Sequence, residues 1–282
     1  MPPQTAASID PAARIDPAAV IADDAVVEAD AIIGPGVTIG PATRVRTRAI
    51  IVENTTIGAR NDIHPYAIIG GDPQDRAYDP DKNRGSLVIG DDNVIREFVT
   101  IGRSTGDGPT TRIGSHCFLM SQSHVGHNAQ LADHVVLANG ASVAGYARVG
   151  PRTVLSGFCM IHQFCDVGEM VMFRAAASTS MHVPPFVILA RPNIIAGLNA
   201  VGLRRAGFSD DERAQVKEIY RAVYRTRGGR PLDEAVAQFE QRDDWTPPAQ
   251  RFIDFFRDRL AAPPPRNRGF VGAAHAQPHA EA

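Results

Sequence analysis

An aliphatic side chain recurs at every sixth position along most of the first 180 residues. The first run extends from Ile9 to Ile69, and the same spacing returns from Ile89 to Ile101 and from Ile113 to Phe173. A small residue often follows four positions after the aliphatic one. Because side chains alternate across a strand, both positions can point inward only if each six-residue unit is one short strand followed by a corner. The pattern therefore predicts a solenoid of short strands.

Three such units make one triangular coil of 18 residues, and successive coils stack as parallel strands about 4.8 Å apart. The predicted fold class is an all-β solenoid, a parallel β-helix of hexapeptide repeats. Glycine often follows the aliphatic position, as at Gly40 and Gly58. Since glycine accepts backbone angles that other residues resist, we expect these glycines at the corners. The cysteines Cys117, Cys159 and Cys165 fall on the small inward position, which favours a packing role.

The six-residue pattern is interrupted twice. The segment GGDPQDRAYDPDKNRGSL is rich in Asp, Pro and Gly, and the segment GRSTGDGPTTR offers no aliphatic residue to the core. We expect these segments to form two loops, residues 71–87 and 102–112, that project from the prism. Projecting loops on a rigid scaffold are a common place for binding and catalytic residues.

Helical signals begin after the pattern ends near residue 180. Ser209 with Glu212 three residues later forms a capping box, and Thr246 followed by proline marks a later helix start. The final residues are rich in Pro and Ala and have no periodic apolar face, which predicts disorder. The predicted divisions are a β-helix over residues 1–190, an α-helical domain over residues 191–260 and a disordered tail over residues 261–282.

The chain of 282 residues carries 29 Lys and Arg against 31 Asp and Glu, a formal net charge of −2. This balance offers no basic excess that would attract nucleic acid or an acidic membrane surface. No apolar run approaches the roughly 18 residues of a membrane span, and the first residues lack the basic cluster and apolar stretch of a secretion signal. We therefore expect a cytoplasmic protein without membrane insertion and without a nucleic-acid partner.

Histidines form a column on the outer face of the predicted prism. His124 and His127 point outward, and His162 lies 35 residues beyond His127, nearly two coils further along the same flank. Gly145 and Tyr146 fall one coil above His127. This column is either a solvated polar face or a catalytic site, and spacing alone leaves both interpretations open.

A second column contains His116, His134 and Arg152, each 18 residues from the next. No break in the pattern accompanies it, which favours a surface stack without function. Metal binding is the rival interpretation of clustered histidines, because a three-His zinc site needs imidazoles that converge on one ion. His124 and His127 do not have the sequence spacing by which some hexapeptide-repeat proteins hold zinc. We therefore predict no metal ligand and no cofactor.

Six motifs, in this order along the chain, carry a resemblance to a known family. They are GGDPQDRAY at 70–78, IREFVTIGR at 95–103, SHVGHN at 123–128, IHQFCDVG at 161–168, VPPFVI at 183–188 and GLNAVGLRRAGF at 197–208. From residue 9 to about residue 260, the chain resembles the UDP-N-acetylglucosamine O-acyltransferases that begin lipid A synthesis. The resemblance implies that the β-helix is left-handed and that the protein is a homotrimer with active sites between subunits.

In that family, a (3-hydroxy)fatty acyl group moves from acyl carrier protein to the 3-hydroxyl of UDP-N-acetylglucosamine. The resemblance assigns the general base to His127, its orientation to Asn128 and oxyanion stabilisation to the backbone N–H of Gly145. An imidazole suits the first role because it titrates near neutrality. The implied acceptor-binding residues are Gln74, Asp75, Arg76, His124, His162, Gln163, Asn199, Arg204 and Arg205. For the acyl chain, the resemblance implies a stop at Ala175 with Met172 nearby, and we expect a preference for longer donors.

Several positions depart from the family pattern. They are Asn128 in place of a frequent Asp, Gly102 and Tyr146 in place of His, Ala77 in place of Lys, and Ala206 in place of a third basic residue. These changes concern contacts to the sugar and the phosphates more than the reaction itself. They leave open a paralogue that acts on a different nucleotide amino sugar or uses acyl-CoA. A non-catalytic scaffold on the same prism is the third interpretation, and the intact base and oxyanion positions argue against it.

Overall fold

The computed structural model describes residues 8–82, 84–106 and 108–274. Over these residues, strands of two to five residues stack side by side into three mainly parallel sheets, which form the sides of a prism. We name them sheets A, B and C. Each coil of the chain contributes one strand to every sheet, so the hexapeptide units become the repeating sides of a β-helix.

The three sheets contain twelve, nine and eight strands in the described part of the chain. Sheet A comprises Ser8–Ile9, Val26–Val27, Arg44–Val45, Asp62–Ile63, Val94–Ile95, Phe118–Leu119, Val136–Leu137, Val154–Leu155, Met172–Phe173, Val187–Arg191, Ile194–Leu198 and Gly272–Ala273. Sheet B comprises Arg14–Ile15, Ile32–Ile33, Ile50–Ile51, Ile68–Gly71, Thr100–Gly102, His124–Val125, Ser142–Val143, Met160–Ile161 and Ser178–Thr179. Sheet C comprises Val20–Ile21, Thr38–Ile39, Thr55–Ile57, Leu87–Ile89, Thr111–Ile113, Gln130–Leu131, Arg148–Val149 and Asp166–Val167.

Equivalent positions of successive coils lie next to each other. Ile15 pairs with Ile33, eighteen residues later, as the predicted register requires. Where the pairing crosses the first loop, Ile63 pairs with Ile95, because the loop leaves the coil and returns to it. The six-residue register therefore continues through the interruption, and the loops project from an otherwise regular prism.

The interior of the prism is filled by the repeating aliphatic residues and the small residues that follow them. Ile33 is 1% exposed and Val37 is fully buried. The three cysteines are buried and free. Burial raises the pKa of the Cys117 and Cys165 thiols to about 11, so both stay protonated near neutral pH and act as small packing groups.

Glycine is required after the aliphatic positions for a different reason from the one expected. Gly40 and Gly58 do not adopt left-handed backbone angles, whereas corner residues such as Asn128 and Tyr146 do, each with φ of 60°. A Cβ on Gly40 would lie 2.5 Å from the carbonyl oxygen of Gly58 in the next coil. Glycine is therefore needed because adjacent coils approach closely, and not because the chain turns there.

The C-terminal part begins with an antiparallel hairpin, Val187–Arg191 and Ile194–Leu198, so sheet A crosses the boundary expected at residue 190. The helices that follow are α1 Ala200–Arg205, α2 Asp210–Tyr224, α3 Leu232–Ala237 and α4 Pro247–Leu260, with a 3₁₀ turn at Gln238–Gln241. The predicted capping box opens α2, since Ser209 Oγ accepts the Glu212 N–H and the Glu212 carboxylate accepts the Ser209 N–H. No helix in the described residues is long and apolar enough to span a bilayer.

Residues 261–274, which we call the C-terminal arm, pack against the prism, contrary to the disorder expected there. Gly272–Ala273 extends sheet A, Val271 is buried, and Arg266 forms an ion pair with Asp166. One two-residue strand and a few individual contacts hold the arm, which explains why it has no periodic apolar face. Residues 275–282 of the predicted tail lie outside the described residues.

Candidate active site

A cavity of about 870 Å³ lies along the outer face of sheet B, beside the points where the two loops leave the prism. Gly71 and Gly102 end two strands of this sheet, and Asp72 of the first loop also lines the wall. The predicted site residues that line the cavity are Gln74, His124, His127, Gly145, His162 and Gln163. The parallel register brings them together, because strands one coil apart in the sequence are neighbours in the sheet.

His124 contributes a neutral imidazole to the wall. Its Nδ1 lies 2.8 Å from Thr100 Oγ1 on the neighbouring strand. Burial, and to a smaller degree the nearby His127 imidazole, lower the pKa of His124. Because a lowered pKa leaves the ring uncharged near neutral pH, His124 can form hydrogen bonds in the cavity without adding a positive charge.

The side chain of Asn128 fixes the proton on the His127 imidazole. Asn128 is fully buried, its Nδ2 donates to the Pro109 carbonyl at 2.8 Å, and its Oδ1 accepts the Thr105 N–H at 3.2 Å. These partners define one orientation of the amide, with Oδ1 facing His127 Nδ1 at 2.8 Å. Since an amide oxygen only accepts, His127 Nδ1 carries the proton and Nε2 keeps its lone pair. The imidazole is therefore in the tautomer that a general base needs.

Gly145 lies directly against that lone pair. A Cβ on Gly145 would lie 2.8 Å from His127 Nε2 and 2.9 Å from Cε1, so only glycine leaves space for the ring. Among the described residues, no protein group accepts the Gly145 N–H. A free N–H beside the base is available to stabilise negative charge on an oxygen.

Two residues outside the predicted site complete this network. Thr105 of the second loop is 8% exposed, and its hydroxyl lies 3.3 Å from Asn128 Oδ1. The Tyr146 hydroxyl lies 3.2 Å from Thr105 Oγ1, and the Tyr146 ring meets the His127 ring edge-on at 5.3 Å between centroids. The 18-residue spacing places Tyr146 beside His127 but gives it no role. Thr105 lies in a loop without periodic positions, so no sequence signal marks it.

A buried guanidinium joins the two loops at the edge of the cavity. The Arg103 side chain is 4% exposed, and its Nη2 lies 2.5 Å from Asp72 Oδ1 and 3.0 Å from Glu53 Oε1. The same nitrogen is 3.3 Å from the Tyr78 hydroxyl. The Arg103 guanidinium is buried whereas Asp72 is exposed, and its contacts to Asp72 and Tyr78 connect the start of the first loop to the strand that ends at Gly102. Gln74 reaches the cavity from this loop.

The other predicted site residues do not reach the cavity of their own chain. Asp75 and Arg76 are exposed, and Asp75 Oδ1 accepts the Ala77 N–H within the loop. Asn199 caps α1, since its Oδ1 accepts the Gly202 N–H at 3.0 Å. Arg204 and Arg205 are exposed at the end of α1, Met172 lies on sheet A, and Ala175 is exposed at a corner.

The second histidine column is a surface stack. His116 and His134 lie with ring centroids 4.8 Å apart in nearly parallel planes, as their spacing predicted. The only carboxylate near His116 among the described ion pairs is that of Asp92, at 3.9 Å from Nδ1. Neither imidazole borders the cavity, so this column is separate from the site.

Two family models match parts of this chain and indicate its protein class. The family model described as bacterial transferase hexapeptide (six repeats) matches residues 110–145. The model described as domain 2 of UDP-N-acetylglucosamine O-acyltransferase matches residues 182–271. The two models together place the chain among the hexapeptide-repeat acyltransferases.

Relatives then identify the family. The acyl-[acyl-carrier-protein]–UDP-N-acetylglucosamine O-acyltransferase of Janthinobacterium sp. (strain Marseille) is 37% identical over 215 residues, 76% of this chain and 79% of that protein. The crystal structure of UDP-N-acetylglucosamine O-acyltransferase from Moraxella catarrhalis matches with a TM-score of 0.86 at 37% identity, over 93% of this chain and 99% of that one. The Francisella novicida enzyme matches with a TM-score of 0.87 at 30% identity, over 95% of both chains. The chain belongs to the UDP-N-acetylglucosamine O-acyltransferase family, and the predicted left-handed parallel β-helix is confirmed.

Proposed function

We propose that the protein transfers a (3-hydroxy)acyl group from acyl carrier protein to the 3-hydroxyl of UDP-N-acetylglucosamine, the reaction that begins lipid A biosynthesis. The observation that carries the proposal is the arrangement of His127 in the cavity, with Nδ1 facing Asn128 Oδ1 and Nε2 beside Gly145. The names of the relatives supply the acyl donor and the acceptor. General base catalysis and oxyanion stabilisation are the two functions that acyl transfer to a hydroxyl requires.

In the proposed reaction, His127 Nε2 accepts the proton of the sugar hydroxyl while the hydroxyl oxygen attacks the thioester carbonyl carbon. The electron pair of the carbonyl double bond moves to its oxygen, and the Gly145 N–H donates to that oxyanion. When the carbonyl re-forms, the carbon–sulfur bond breaks and the leaving thiolate takes the proton from the imidazolium. The products are the sugar ester and the free thiol of the carrier protein. Asn128 Oδ1 accepts the Nδ1–H throughout and keeps the ring in place.

We further propose a homotrimer with one site between each pair of subunits. Several large apolar side chains on the strands and corners of sheet B are exposed in the single chain. They are Phe158 at 69%, Met160 at 56% and Phe98 at 54% exposure. Exposed apolar surface of this kind is typical of a protein interface. Arg204 and Arg205 are exposed away from their own cavity, which leaves them available to a neighbouring subunit, whereas both polar atoms of the Asn199 amide are bonded within the chain.

The test is a transfer assay read by mass spectrometry. The purified protein is incubated with UDP-N-acetylglucosamine and a panel of acyl-carrier-protein thioesters, and the acceptor is expected to gain the mass of one acyl group less one hydrogen. Product from acyl-CoA alone, or absence of product from every donor, would contradict the proposal. A light-scattering mass of three chains is the expected result for the trimer, and a monomer would contradict it.

One observation favours a second candidate, transfer to a different nucleotide amino sugar. Tyr146, in place of a family histidine, lies beside His127 and hydrogen-bonds with Thr105, so the surroundings of the base differ from the family pattern. The same assay with amino-sugar nucleotides as acceptors separates the two candidates. The proposed reaction uses no cofactor, because the steps above need only side chains, backbone and the two substrates. We also propose a cytoplasmic location for the protein.

A further inference from the structure

A guanidinium from the C-terminal arm touches two residues of the cavity wall. Arg268 Nη2 lies 3.0 Å from His162 Nδ1, and Arg268 Nε donates to the Ser180 carbonyl at 3.3 Å. Both His162 and Ser180 line the cavity. The arm therefore contributes to the site through Arg268, although the hexapeptide repeat ends long before this residue.

Anchors on both sides of Arg268 fix its position. Two residues earlier, Arg266 Nη1 lies 2.9 Å from Oδ1 of buried Asp166, and Arg266 Nη2 donates to the Tyr146 carbonyl at 2.8 Å. Three residues later, the Val271 N–H donates to the His182 carbonyl at 3.1 Å. These anchors fix the backbone on both sides of Arg268, so only its side chain must be ordered for the contact to form. The fold thus brings Arg268 to His162.

The contact determines which nitrogen of His162 carries the proton. A guanidinium only donates, so His162 Nδ1 must accept from Arg268, and the proton of the neutral ring resides on Nε2. The competing partner of Nδ1 is the Gln163 carbonyl at 3.3 Å, which would require the proton on Nδ1. The shorter contact to a charged donor favours the Nε2–H tautomer, because charge-assisted hydrogen bonds are the stronger ones.

We propose that Arg268 is a positioning residue for acceptor binding, which holds His162 as a hydrogen-bond donor at Nε2. The oxygens that a nucleotide sugar presents, in its phosphates, carbonyls and hydroxyls, all accept hydrogen bonds. A wall imidazole with Nε2–H can bind any of these oxygens, whereas a bare Nε2 can bind only a hydroxyl. The inference deepens the proposed function and takes the identity of the acceptor from it.

The kinetic test compares Arg268→Met with Arg268→Lys. Met keeps the aliphatic stem but no donor, and we expect it to raise KM for UDP-N-acetylglucosamine about five- to tenfold, the effect of one hydrogen bond, with kcat changed less than twofold. Lys keeps a charged donor and should restore most of the loss. Arg225→Met is the matched control, because Arg225 contacts the arm at the Ala274 carbonyl. An unchanged KM in Arg268→Met, with Arg225→Met behaving alike, would overturn the proposal.

A double-mutant cycle tests whether Arg268 acts through His162. In a His162→Ala background, Arg268→Met is expected to change KM no further, because the contact that it removes is already absent. An equal additional loss in that background would show that Arg268 acts on the substrate by another route and would overturn the positioning role. Each variant is expected to have the wild-type unfolding temperature, which would show that the arm remains attached.

Nitrogen NMR of the ligand-free protein separates this inference from the proposed function. With ¹⁵N-labelled histidine, and the His162 signals assigned by their loss in His162→Gln, we expect Nδ1 of His162 to be unprotonated in the wild type. Arg268→Met should shift His162 toward a mixture of the two tautomers. A protonated Nδ1 in the wild type would overturn the inference, whichever acceptor the enzyme uses. Absence of turnover with UDP-N-acetylglucosamine would instead contradict the proposed function.

Discussion

Replacing Gly145 by Ala tests whether catalysis depends on the observed position of the His127 imidazole. The new Cβ would lie 2.8 Å from His127 Nε2, whereas ordinary van der Waals contact begins at 3.4 Å, so the ring must move by about 0.6 Å. Gly145 does not occupy the left-handed region, so alanine strains no backbone angle there. The hydrogen bond from His127 Nδ1 to buried Asn128 opposes the movement. The new Cβ would also lie 3.2 Å from the His127 carbonyl oxygen, so the perturbation falls on the side chain and backbone of the proposed base.

The size of the effect follows from this displacement. A misplacement of about 1 Å at a reacting group costs roughly 100-fold in rate, so a displacement of about half that size should lower kcat by about 10- to 100-fold. That range corresponds to about 1.4 to 2.7 kcal/mol of activation free energy. The acyl-carrier-protein KM should change little, because the contacts of the donor away from the reacting carbon are unaffected.

The assay measures kcat and KM for both substrates, together with the thermal unfolding temperature and the mass of the assembly. Gly157→Ala is the matched control, because the nearest atom to its Cβ, the Asn139 carbonyl oxygen, is 3.5 Å away and within ordinary contact distance. We expect the control to keep kcat within twofold. If Gly145→Ala retained more than half of the wild-type kcat, or if Gly157→Ala lost as much, steric exclusion of the base would not explain the glycine.

Three further predictions concern the base, the core and the acyl chain. His127→Ala should lower kcat by roughly 10²- to 10⁴-fold without altering the assembly, while His116→Ala stays within a few-fold; near-normal turnover of the first variant would refute its role. Ile33→Asp should abolish soluble protein, because an unpaired charge in the core costs several kcal/mol, whereas exposed Pro35→Ser should express normally; similar yields would mean that the register is wrong. Ala175→Met should shift donor preference in a competition assay toward shorter acyl chains. The expected shift is about tenfold for a difference of two carbons, at about 0.8 kcal/mol per methylene. An unchanged donor profile would place the chain stop elsewhere.

The prism could be predicted because every hexapeptide faces the same packing problem. Ile33 must be buried for the same reason as Ile51 one coil later, so the spacing alone defines the inward face and the register of the sheets. Spacing does not reveal why a given residue type stands at a position. Gly40 follows an aliphatic residue as a corner glycine would, yet the close approach of the Gly58 carbonyl is what excludes a side chain. That distance is set by the stacking of adjacent coils and cannot be inferred from the sequence of one hexapeptide.

The hydrogen-bonding state of the site depends on segments that lie outside the repeat. Asn128 carries no charge, so what it supplies to His127 is a fixed tautomer rather than a counter-ion, and that tautomer depends on Pro109 and Thr105 in the second loop. Likewise, the state of His162 is linked to an arginine 106 residues away in the C-terminal arm. No periodic pattern can encode such pairs, because each occurs once and joins distant parts of the chain. The repeat therefore builds the wall of the cavity, and the irregular segments decide which imidazole nitrogen accepts a proton and which donates one.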